Sequence, residues 1–465
     1  MIRHNILLLT DSYKVNHYKQ YPAGTSTVYS YFESRGGDFP EVTFFGLQYY
    51  LKNYLQGQVV TQEKIEEAAT LYNRHFGNEV FYREGWEYIL KAYNGYLPVR
   101  IKAVPEGIAT PVHNVLMTIE NTDPKCWWLT NFLETLLVQV WYGSTVATLS
   151  KAIKQRVLDY LEETGDPSLI NFKLHDFGFR GVSSVESASV GGAAHLVNFS
   201  GSDTIAALTF IQDYYYTNDV FGFSIPAAEH STITSWGREN ETAAYRNMLR
   251  QYDEGLIAVV SDSYDVYNAC ANIWGGVLKE EVLKRKGTLV VRPDSGIPKD
   301  VVLKVIEILG EKFGYVTNEK GYKVLHPNVR VLQGDGVEYD TVEEILENLK
   351  QHGWSADNIA FGMGGGLLQK LNRDTLKFAF KCCSAIVNGE ERDVFKDPIT
   401  DTGKRSKRGR LKLVRENGKY KTCAFKEAGE DVLQTVFENG EIKKQYSFEK
   451  VKENANVFSF QQSIL

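Results

Sequence analysis

Two short stretches of the chain place charged side chains beside glycine in a pattern that suits a phosphorylated sugar. RPDSG (292–296) sets the guanidinium of Arg292 two residues from the carboxylate of Asp294, and QGDGV (333–337) sets Asp335 between two glycines. Arginine binds phosphate in a fork, whereas a carboxylate accepts hydrogen bonds from paired ribose hydroxyls. A local ion pair and tight turns are the structural alternatives, and the residue types leave both open.

A second pair of stretches carries an arginine and a histidine. Arg180 follows HDFGF (175–179), and His230 in AAEHS (227–231) adds an imidazole, a group that titrates near neutrality. A solvated arginine and a structural histidine are the alternatives here. Neither stretch by itself shows whether Arg180 and His230 bind a ligand or have only a structural role.

The glycine run AFGMGGGLLQK (360–370) raises the same choice. It does not match G-x-G-x-x-G, because Leu367 follows Gly366, and it lacks the spacing of a Walker loop. Bare N–H groups between a strand and a helix can hold a phosphate. A tight structural turn explains the glycines equally well.

Basic residues gather late in a chain whose net charge is −6. The run KRSKRGR (404–410) joins Arg373, Lys381 and Lys396 as cations for which an acidic phosphorylated ligand would provide a role, and a solvated loop is the alternative. The inventory contains groups for phosphates and a ribose, but no metal cage made of side chains and no nucleophile triad. Transfer at a sugar carbon that bears a phosphate-type leaving group fits it best.

Four apolar runs position these groups, and each run ends in a polar or glycine-rich turn. They are LIAVVSDSYD (256–265), TLVVRPDSG (288–296), VRVLQGDGV (329–337) and NIAFGMGGG (358–366). Runs without alternation indicate strands buried on both faces, and helical patterns separate them. Repeated βα units predict a parallel sheet, either a barrel or a doubly wound sheet, with ligands at the carboxyl ends of the strands.

One of the intervening helical patterns is carried by Val266, Ala269, Cys270 and Ile273, which share one face of an α-helix. The βα array extends back to about residue 150. We therefore predict an N-terminal α+β part (1–148), a part of repeated βα units that carries the site (149–384) and a C-terminal part (385–465) that packs with the N-terminal part.

The bulk composition indicates a soluble globular protein that does not coat nucleic acid or a membrane. Hydrophobic residues make up 43% and charged residues 24% of the 465 residues. Five cysteines without metal-ligand spacing suit free thiols in a reducing compartment. The apolar run near the N-terminus is too short for a signal peptide or a membrane span, so we expect a cytoplasmic protein.

A family resemblance joins these stretches. TDSYKVNHYKQYP, HDFGFRGVSS, AAHLVNFSGSDT, PAAEHSTITSWG, VVSDSYDVYNAC, RPDSGIP, QGDGV, FGMGGGLLQKL and VFKDP…KRSKRGRL occur in the order found in nicotinamide phosphoribosyltransferases. The resemblance covers the chain from about residue 5 to its end. The segment after Glu33-Ser34-Arg35 is short and lacks a lysine-rich insertion, so the chain resembles a bacterial or viral form.

The resemblance implies a fold and a reaction. Members of this type II phosphoribosyltransferase family have an irregular (β/α) barrel plus a composite α+β domain, and they form homodimers with shared active sites. They join nicotinamide to phosphoribosyl pyrophosphate, giving nicotinamide mononucleotide and pyrophosphate in NAD salvage. They use Mg²⁺ held through pyrophosphate, and ATP hydrolysis through a phosphohistidine. Nicotinate phosphoribosyltransferase, or a catalytically silent binding or signalling relative, is the alternative.

The resemblance also implies how the base is bound. Phe177 and Tyr13 of the partner subunit would sandwich the pyridine ring. Asp203 would accept the carboxamide NH₂ and repel the negative charge of nicotinate. Asp11 would help to line the pocket.

The remaining implied residues handle the sugar and its phosphates. Three of them, His230, Asp294 and Arg292, would be catalytic, with His230 as the phosphohistidine. Pyrophosphate contacts would be Arg180, His230 and Arg292; ribose contacts Asp294, Gly334 and Asp335; 5′-phosphate contacts Gly364 and Gly365, aided by Arg35, Arg373 and Lys381; and basic-region residues Lys396 and Lys404. Met363 stands where the family often has serine, and the sequence gives it no role.

Overall fold

The computed structural model describes residues 5–400 and 405–456, and the chain forms two compact units. The sheet unit comprises the described residues of Met1–Thr148, Ile211–Thr217 and Asn372–Leu465. The barrel unit comprises Leu149–Phe210 and Asn218–Leu371. Within the described residues, no helix is both long enough and apolar enough to span a membrane.

The N-terminal part of the sheet unit alternates strands and short helices. In chain order its strands and α-helices are β1 (Thr25–Ser34), β2 (Glu41–Thr43), α1 (Leu47–Tyr50), α2 (Gln62–Phe76), α3 (Arg83–Tyr93), β3 (Val99–Ala103), β4 (Ala109–Pro111), β5 (Val115–Asn121), α4 (Leu129–Phe132), α5 (Glu134–Leu137) and the start of α6 (Val140–Thr164). A π-helix, Leu51–Leu55, follows α1, and 3-10 helices cover Ile6–Leu8, Ser12–Lys19 and Pro124–Cys126.

The barrel unit repeats strand and helix. Its elements are β6 (Leu174–Asp176), α7 (Val185–Leu196), β7 (Gly201–Ser202), α8 (Ile205–Tyr214), α9 (His230–Thr234), α10 (Glu241–Gln251), β8 (Glu254–Val260), α11 (Val266–Asn268), α12 (Lys279–Lys284), β9 (Lys286–Arg292), α13 (Pro298–Phe313), β10 (Tyr315–Thr317), β11 (Lys323–Leu325), β12 (Val329–Gln333), α14 (Tyr339–Gln351), β13 (Ile359–Met363) and α15 (Gly365–Leu368). A π-helix covers Ala269–Val277, and 3-10 helices cover Pro167–Phe172, Phe179–Gly181, Arg238–Asn240 and Ala356–Asn358.

The C-terminal part returns to the sheet unit. It contains a 3-10 helix (Arg373–Thr375), β14 (Phe378–Val387), β15 (Glu390–Asp393), β16 (Leu411–Glu416), β17 (Lys419–Ala424), β18 (Gln434–Glu438), β19 (Glu441–Ile442) and α16 (Phe448–Asn456). The seven-stranded antiparallel sheet has the order β15-β14-β1-β5-β3-β18-β19. Residues 372–384, which the sequence division places with the barrel, lie in the sheet unit because β14 pairs with β1.

Six parallel strands form the barrel sheet, in the order β7-β6-β13-β12-β9-β8. The segment between residues 223 and 228 touches both of its edges. Phe223 bridges Gly201 in β7, and Ala227 bridges Ala258 in β8. Backbone hydrogen bonds from Ser202 N to Phe223 O (3.0 Å) and from Ala258 N to Pro226 O (2.9 Å) complete the contacts. The irregular α/β barrel is thereby confirmed, and a doubly wound sheet is excluded.

In α13 and α14 the apolar residues of one helix face are buried, among them Val302, Val305, Ile306 and Leu309 in α13 and Val342, Ile345, Leu346 and Leu349 in α14. The face of Val266, Ala269, Cys270 and Ile273 differs from the prediction. Only Val266–Asn268 is α-helical, and Ala269–Val277 forms a π-helix, which buries Trp274 together with Ile273.

Candidate active site

The interior of the barrel is filled by one small apolar cluster. Ala258, Val290 and Leu332 are buried together, with Phe177 and Ile225 packed against them. Because side chains alternate along a strand, Arg292 and Gly334, two residues beyond Val290 and Leu332, share the inward direction. The apolar cluster therefore fills the interior on the amino-terminal side of these positions, and the polar groups lie nearer the carboxyl ends of the strands.

His230 lies between two carboxylates at this rim. It is the first residue of α9. Its Nε2 lies 3.0 Å from Asp262 Oδ1, and its Nδ1 lies 4.0 Å from Asp294 Oδ2. Ser295 Oγ donates to Asp262 Oδ2 (2.6 Å), which fixes that carboxylate. The imidazole is half-exposed, so one face remains open to a ligand.

Arg292 and Asp294 are close in sequence, but Arg292 Nε does not donate a hydrogen bond to the Asp294 carboxylate. The distance from Arg292 Nε to Asp294 Oδ1 is 3.8 Å, which is beyond a hydrogen bond. Burial raises the pKa of the Asp294 carboxyl above its ordinary value; nearby Asp262 and Asp335 add to the rise, whereas Arg292 and His230 oppose it. A donor and an acceptor are therefore both available at the end of β9.

Buried polar atoms without hydrogen-bond partners mark the same rim. Among the described residues of the barrel unit they belong to Ser263, Arg292 and Gln333. Each residue ends a strand of the sheet or lies within three residues of its carboxyl end. Since unpaired buried polar atoms are costly, their concentration at one end indicates where a polar ligand binds.

Phe177 reaches into the barrel over a glycine. A Cβ atom at Gly362 would overlap its ring, and one at Gly334 would lie 3.5 Å from its Cε2. The backbone N–H of Phe177 donates to Met363 O (3.0 Å), which ties the ring to β13. Gly362, the first glycine of the run, therefore makes room for Phe177.

Asp203 lies on the loop after β7, the strand paired with β6, and is exposed. Ser224 Oγ donates to its Oδ1, so the position of the carboxylate is fixed. His175, two residues before Phe177, fills the space that the missing side chain of Gly201 leaves open. Burial lowers the pKa of the His175 imidazole, and Asp203 opposes that shift.

The rest of the glycine run forms the turn into α15. Gly364 has φ −95° and ψ −110°, and Leu367 N donates to its carbonyl oxygen (3.0 Å). A Cβ atom at Gly365 would meet nothing within 4 Å, and Gly181 lies close to Gly365 N. Met363 is completely buried and faces the helix side of the strand, opposite to Gly362. Its role is packing.

The sheet unit holds a second group of predicted residues. Arg35 Nε donates to Glu33 Oε1 (2.9 Å), and Lys407 also pairs with Glu33. Burial lowers the pKa of the Lys381 ammonium; Arg35, Lys396 and Lys14 add to the lowering, whereas Glu134 opposes it. Arg35, Lys381 and Lys396 therefore form one cationic group, which we call the basic cluster.

The other predicted residues of the sheet unit have contacts of their own. Thr135 Oγ1 donates to Asp11 Oδ2 (2.7 Å). Tyr13 is 58% exposed. Arg373 is exposed, with Nη2 3.6 Å from Asp374 Oδ1. Lys404 lies outside the described residues.

Sequence reasoning missed Asp262, Asp176 and Ser224. The first two follow strand runs that were recognised, SDSYD and HDFG, so their position at strand ends was the available signal. Ser224 lies in the segment that closes the barrel, and nothing in its local sequence indicates a contact with Asp203. Asp262 and Ser224 matter because they hold His230 and Asp203, respectively.

Asp176 is a buried carboxyl below the rim. Burial raises its pKa to about 6, and Asp203 adds to the rise, whereas the hydroxyl of Thr204, the N–H of Gly178 and the hydroxyl of Ser202 oppose it. Among the described residues, no three His, Cys, Asp or Glu side chains are grouped to hold a metal ion.

Comparisons with known proteins agree with this arrangement. The profile of the nicotinate phosphoribosyltransferase (NAPRTase) family matches residues 172–441. The profile of the nicotinamide phosphoribosyltransferase N-terminal domain matches residues 5–101. A nicotinamide phosphoribosyltransferase of Xanthomonas campestris pv. campestris (strain 8004) is 52% identical, covering 97% of this chain and 98% of its own. One of Acinetobacter baylyi is 33% identical, covering 95% of each chain.

Solved structures share the fold at low sequence identity. Nicotinate-nucleotide pyrophosphorylase from Pyrococcus furiosus has a TM-score of 0.65 at 15% identity, covering 100% of this chain and 98% of its own. Human nicotinic acid phosphoribosyltransferase has a TM-score of 0.55 at 15% identity, covering 97% and 93%. The chain therefore belongs to the nicotinamide phosphoribosyltransferases, within the nicotinate phosphoribosyltransferase (NAPRTase) family.

Proposed function

We propose that the protein transfers the 5-phosphoribosyl group of phosphoribosyl pyrophosphate to nicotinamide, forming nicotinamide mononucleotide and pyrophosphate. The observation that carries this proposal is the pair formed by the Phe177 ring and the Asp203 carboxylate, which Ser224 fixes. An aromatic ring with an amide that donates hydrogen bonds suits this pair. The relatives that are named nicotinamide phosphoribosyltransferases support the same base.

The base is chosen by charge. Asp203 accepts a hydrogen bond from the carboxamide NH₂, whereas the carboxylate of nicotinate would face a like charge at the same place. Phe177 supplies one face of the ring pocket. Tyr13 of the partner subunit supplies the other face in a homodimer, with Asp11 nearby. The exposure of Tyr13 supports this assignment, because the ring is available to a second chain.

The sugar and its phosphates bind along the carboxyl rim. Arg292, whose buried Nε has no partner, and Arg180 contact the pyrophosphate. The carboxylates of Asp294 and Asp335, with the open backbone of Gly334, accept from the ribose hydroxyls. The N–H groups of Gly364 and Gly365 hold the 5′-phosphate. The family resemblance assigns Arg35, Arg373, Lys381, Lys396 and Lys404 to the phosphates as well, partly across the dimer.

The reaction then needs no strong base. The lone pair of the neutral pyridine nitrogen forms the bond to C1′ while the bond from C1′ to the pyrophosphate oxygen breaks, and pyrophosphate leaves with that electron pair. The site aligns the nitrogen with C1′ and stabilises the leaving group through Arg292. The Asp294 carboxylate stabilises the positive charge that develops on the ribosyl ring. Its raised pKa means that this help weakens as the pH falls.

We propose that Mg²⁺ and ATP also take part in the reaction. Asp294 lies among Asp262 and Asp335, whose charges already raise its pKa, so a divalent cation brought by the pyrophosphate is attracted there. Bound Mg²⁺ would neutralise charge on the departing pyrophosphate. His230 accepts a phosphoryl group from ATP, and its position between Asp262 and Asp294 suits a residue whose charge changes during turnover. The free state of all five cysteines supports a reducing, cytoplasmic location.

Steady-state rates with phosphoribosyl pyrophosphate and Mg²⁺ test the base assignment. We expect nicotinamide mononucleotide as the product and a higher kcat/KM for nicotinamide than for nicotinate. Asp203→Asn removes the charge but keeps the size, so it should reduce that preference. A preference of the wild-type protein for nicotinate would support nicotinate phosphoribosyltransferase, and no product from either base would support a silent binding relative.

ATP coupling has its own test. His230→Ala should keep basal transfer and lose the stimulation by ATP, because no nitrogen remains to accept the phosphoryl group. Acid-labile ³²P from labelled ATP should appear on the wild-type chain and be absent from the variant. Undiminished stimulation in His230→Ala would refute the assignment.

A further inference from the structure

Asp176 is a buried carboxyl directly beside the proposed base pocket. It is the last residue of β6, directly before Phe177, and its side chain is completely buried. Because Phe177 points into the barrel, Asp176 points to the helix side. There α7 approaches closely, since a Cβ atom at Gly192 would lie 3.1 Å from Asp176 Oδ2.

The bonds of Asp176 reach both loops that present the base contacts. Gly178 N donates to its Oδ1 (2.7 Å), on the loop that follows Phe177. Ser202 Oγ lies 3.5 Å from its Oδ2, a long hydrogen bond, and Asp203 N donates to its carbonyl oxygen (3.0 Å). One residue is thus connected to the turn beside the ring and to the turn beside the carboxylate.

This connection matters because the two base contacts come from different parts of the chain. Phe177 and Asp203 each lie on a loop, and loops are more mobile than strands unless they are held. A buried carboxylate that accepts from backbone N–H and hydroxyl groups is a strong, directional tie. Its burial would be an unnecessary cost if an apolar side chain served the same purpose.

We propose that Asp176 is a positioning residue for the base pocket, which keeps the Phe177 ring and the Asp203 carboxylate at a fixed separation so that ring and carboxamide are recognised together. The inference rests on the proposed function, since it names a determinant of the same site. Asp176 does not touch the substrate; it acts through Gly178 and Ser202.

Two variants of Asp176 and one of Ser202 test the proposal in the full-length protein. Asp176→Ala removes both side-chain ties, and we expect KM for nicotinamide to rise about 10-fold. The rise in KM for phosphoribosyl pyrophosphate should be smaller, because Arg180 is its one assigned contact on the loop after β6 and the other assigned contacts lie on other strands. Asp176→Asn keeps one acceptor for Gly178 N and should restore most of the nicotinamide KM. Ser202→Ala removes one tie and should fall between the two.

Glu106 provides a matched control. It is another buried carboxylate that accepts backbone N–H bonds, from Gly46 (3.0 Å) and Gln48 (2.7 Å), and it belongs to the sheet unit. Glu106→Gln tests what the loss of such a carboxylate does in general. It should lower the melting temperature and leave KM for nicotinamide unchanged.

The outcomes separate this inference from the proposed function. If the wild-type protein makes no nicotinamide mononucleotide, the proposed function fails. If the wild-type protein is active and Asp176→Ala leaves KM for nicotinamide unchanged, or raises KM for both substrates equally, the positioning role is overturned. If Asp176→Ala does not fold, the comparison of Asp176→Asn and Ser202→Ala decides, because an unchanged nicotinamide KM in both would contradict the proposal.

Discussion

Strand β9 has an arginine at each end, and the two arginines have opposite surroundings. Arg285 directly precedes the strand and donates to three backbone carbonyl oxygens, those of Tyr252 (2.8 Å), Gly255 (2.6 Å) and Glu254 (2.8 Å). Arg292 is the last residue of the strand, and its buried Nε has no hydrogen-bond partner. The first arginine is saturated by the protein, whereas the second has hydrogen-bonding capacity to spare.

The same difference separates the two ends of the whole barrel. At the amino ends, Lys173 donates to Ala356 O, Asp357 O and Ile359 O, and Arg330 donates to Leu325 O, His326 O and Val329 O. Burial lowers the pKa of both side chains. These cations tie loops together across the bottom of the sheet.

Charged side chains therefore stabilise the fold at the amino ends of the barrel strands, whereas at the carboxyl ends they are available to bind a ligand. Saturated cations contribute to the free energy of unfolding and offer nothing to a ligand. Unsaturated groups at the carboxyl ends cost stability until a ligand pairs with them. A mutation at the amino ends should therefore change mainly stability, and a mutation at the carboxyl ends should change mainly ligand binding.

The largest expected effect is that of Arg292→Ala. Loss of its contact with the departing pyrophosphate should lower kcat/KM roughly 1,000-fold, because charge stabilisation in the transition state disappears. The free energy of unfolding should change by about 1 kcal/mol or less, since no intramolecular hydrogen bond of Nε is lost. Steady-state kinetics and denaturant unfolding measure the two effects. A large loss of stability with unchanged kinetics would reverse the roles of the two ends.

Arg285→Ala is the matched variant at the other end of β9. It leaves three carbonyl oxygens without their donor, so we expect a loss of about 3 kcal/mol in the free energy of unfolding. The kcat/KM of the folded protein should stay within about twofold of the wild-type value. Arg285→Lys, which retains a cation, should recover part of the loss. A fall in kcat/KM as large as that of Arg292→Ala would show that the ends are not separate.

Gly362→Ala should have a smaller effect that is confined to the base. The added methyl group would overlap the Phe177 ring and displace it. Overpacking of this kind costs about 2 kcal/mol, which corresponds to a rise in KM for nicotinamide of about 30-fold. Gly276→Ala is the control, because its Cβ atom would find ordinary contact distances. An unaltered nicotinamide KM in Gly362→Ala would place the base elsewhere.

The smallest effect concerns the pH dependence of stability at Asp176. The pKa of this carboxyl is raised from 3.8 to about 6, so the folded protein holds a proton that the unfolded chain releases. The wild-type protein therefore loses stability as the pH rises through that range, and Asp176→Asn does not. The free energy of unfolding of the variant, relative to wild type, should rise by about 1 kcal/mol between about pH 5 and pH 7. A pH-independent difference would contradict the raised pKa.

The sequence predicted repeated βα units because its strand runs and turns repeat along the chain, and the family resemblance favoured a barrel over a doubly wound sheet. It could not predict how the barrel closes, since the segment from Phe223 to Ala227 contacts both edges of the sheet through single bridges and forms no paired strand. The π-helix Ala269–Val277 was expected to be an α-helix, because the spacing of apolar residues on one face does not distinguish an extra residue per turn.

The rim loops were likewise predictable, and some roles within them were not. Arg292, Asp294 and Asp335 stand out as charged residues in strand-end turns, and the family resemblance supplied their assignments. The relation between Gly362 and Phe177 joins residues that are far apart in sequence, so only the parallel pairing of β6 with β13 reveals it. Met363 is explained by the same pairing, because its side chain faces the helices.

A crystal structure of the protein with nicotinamide mononucleotide tests the division of the barrel most directly. The account predicts the nucleotide at the carboxyl ends of the strands, with the pyridine ring on Phe177 and the carboxamide nitrogen about 3 Å from Asp203. The 5′-phosphate should accept from the N–H groups of Gly364 and Gly365. A nucleotide bound away from these strand ends, with the groups of Arg292 and Asp203 still unpaired, would contradict it.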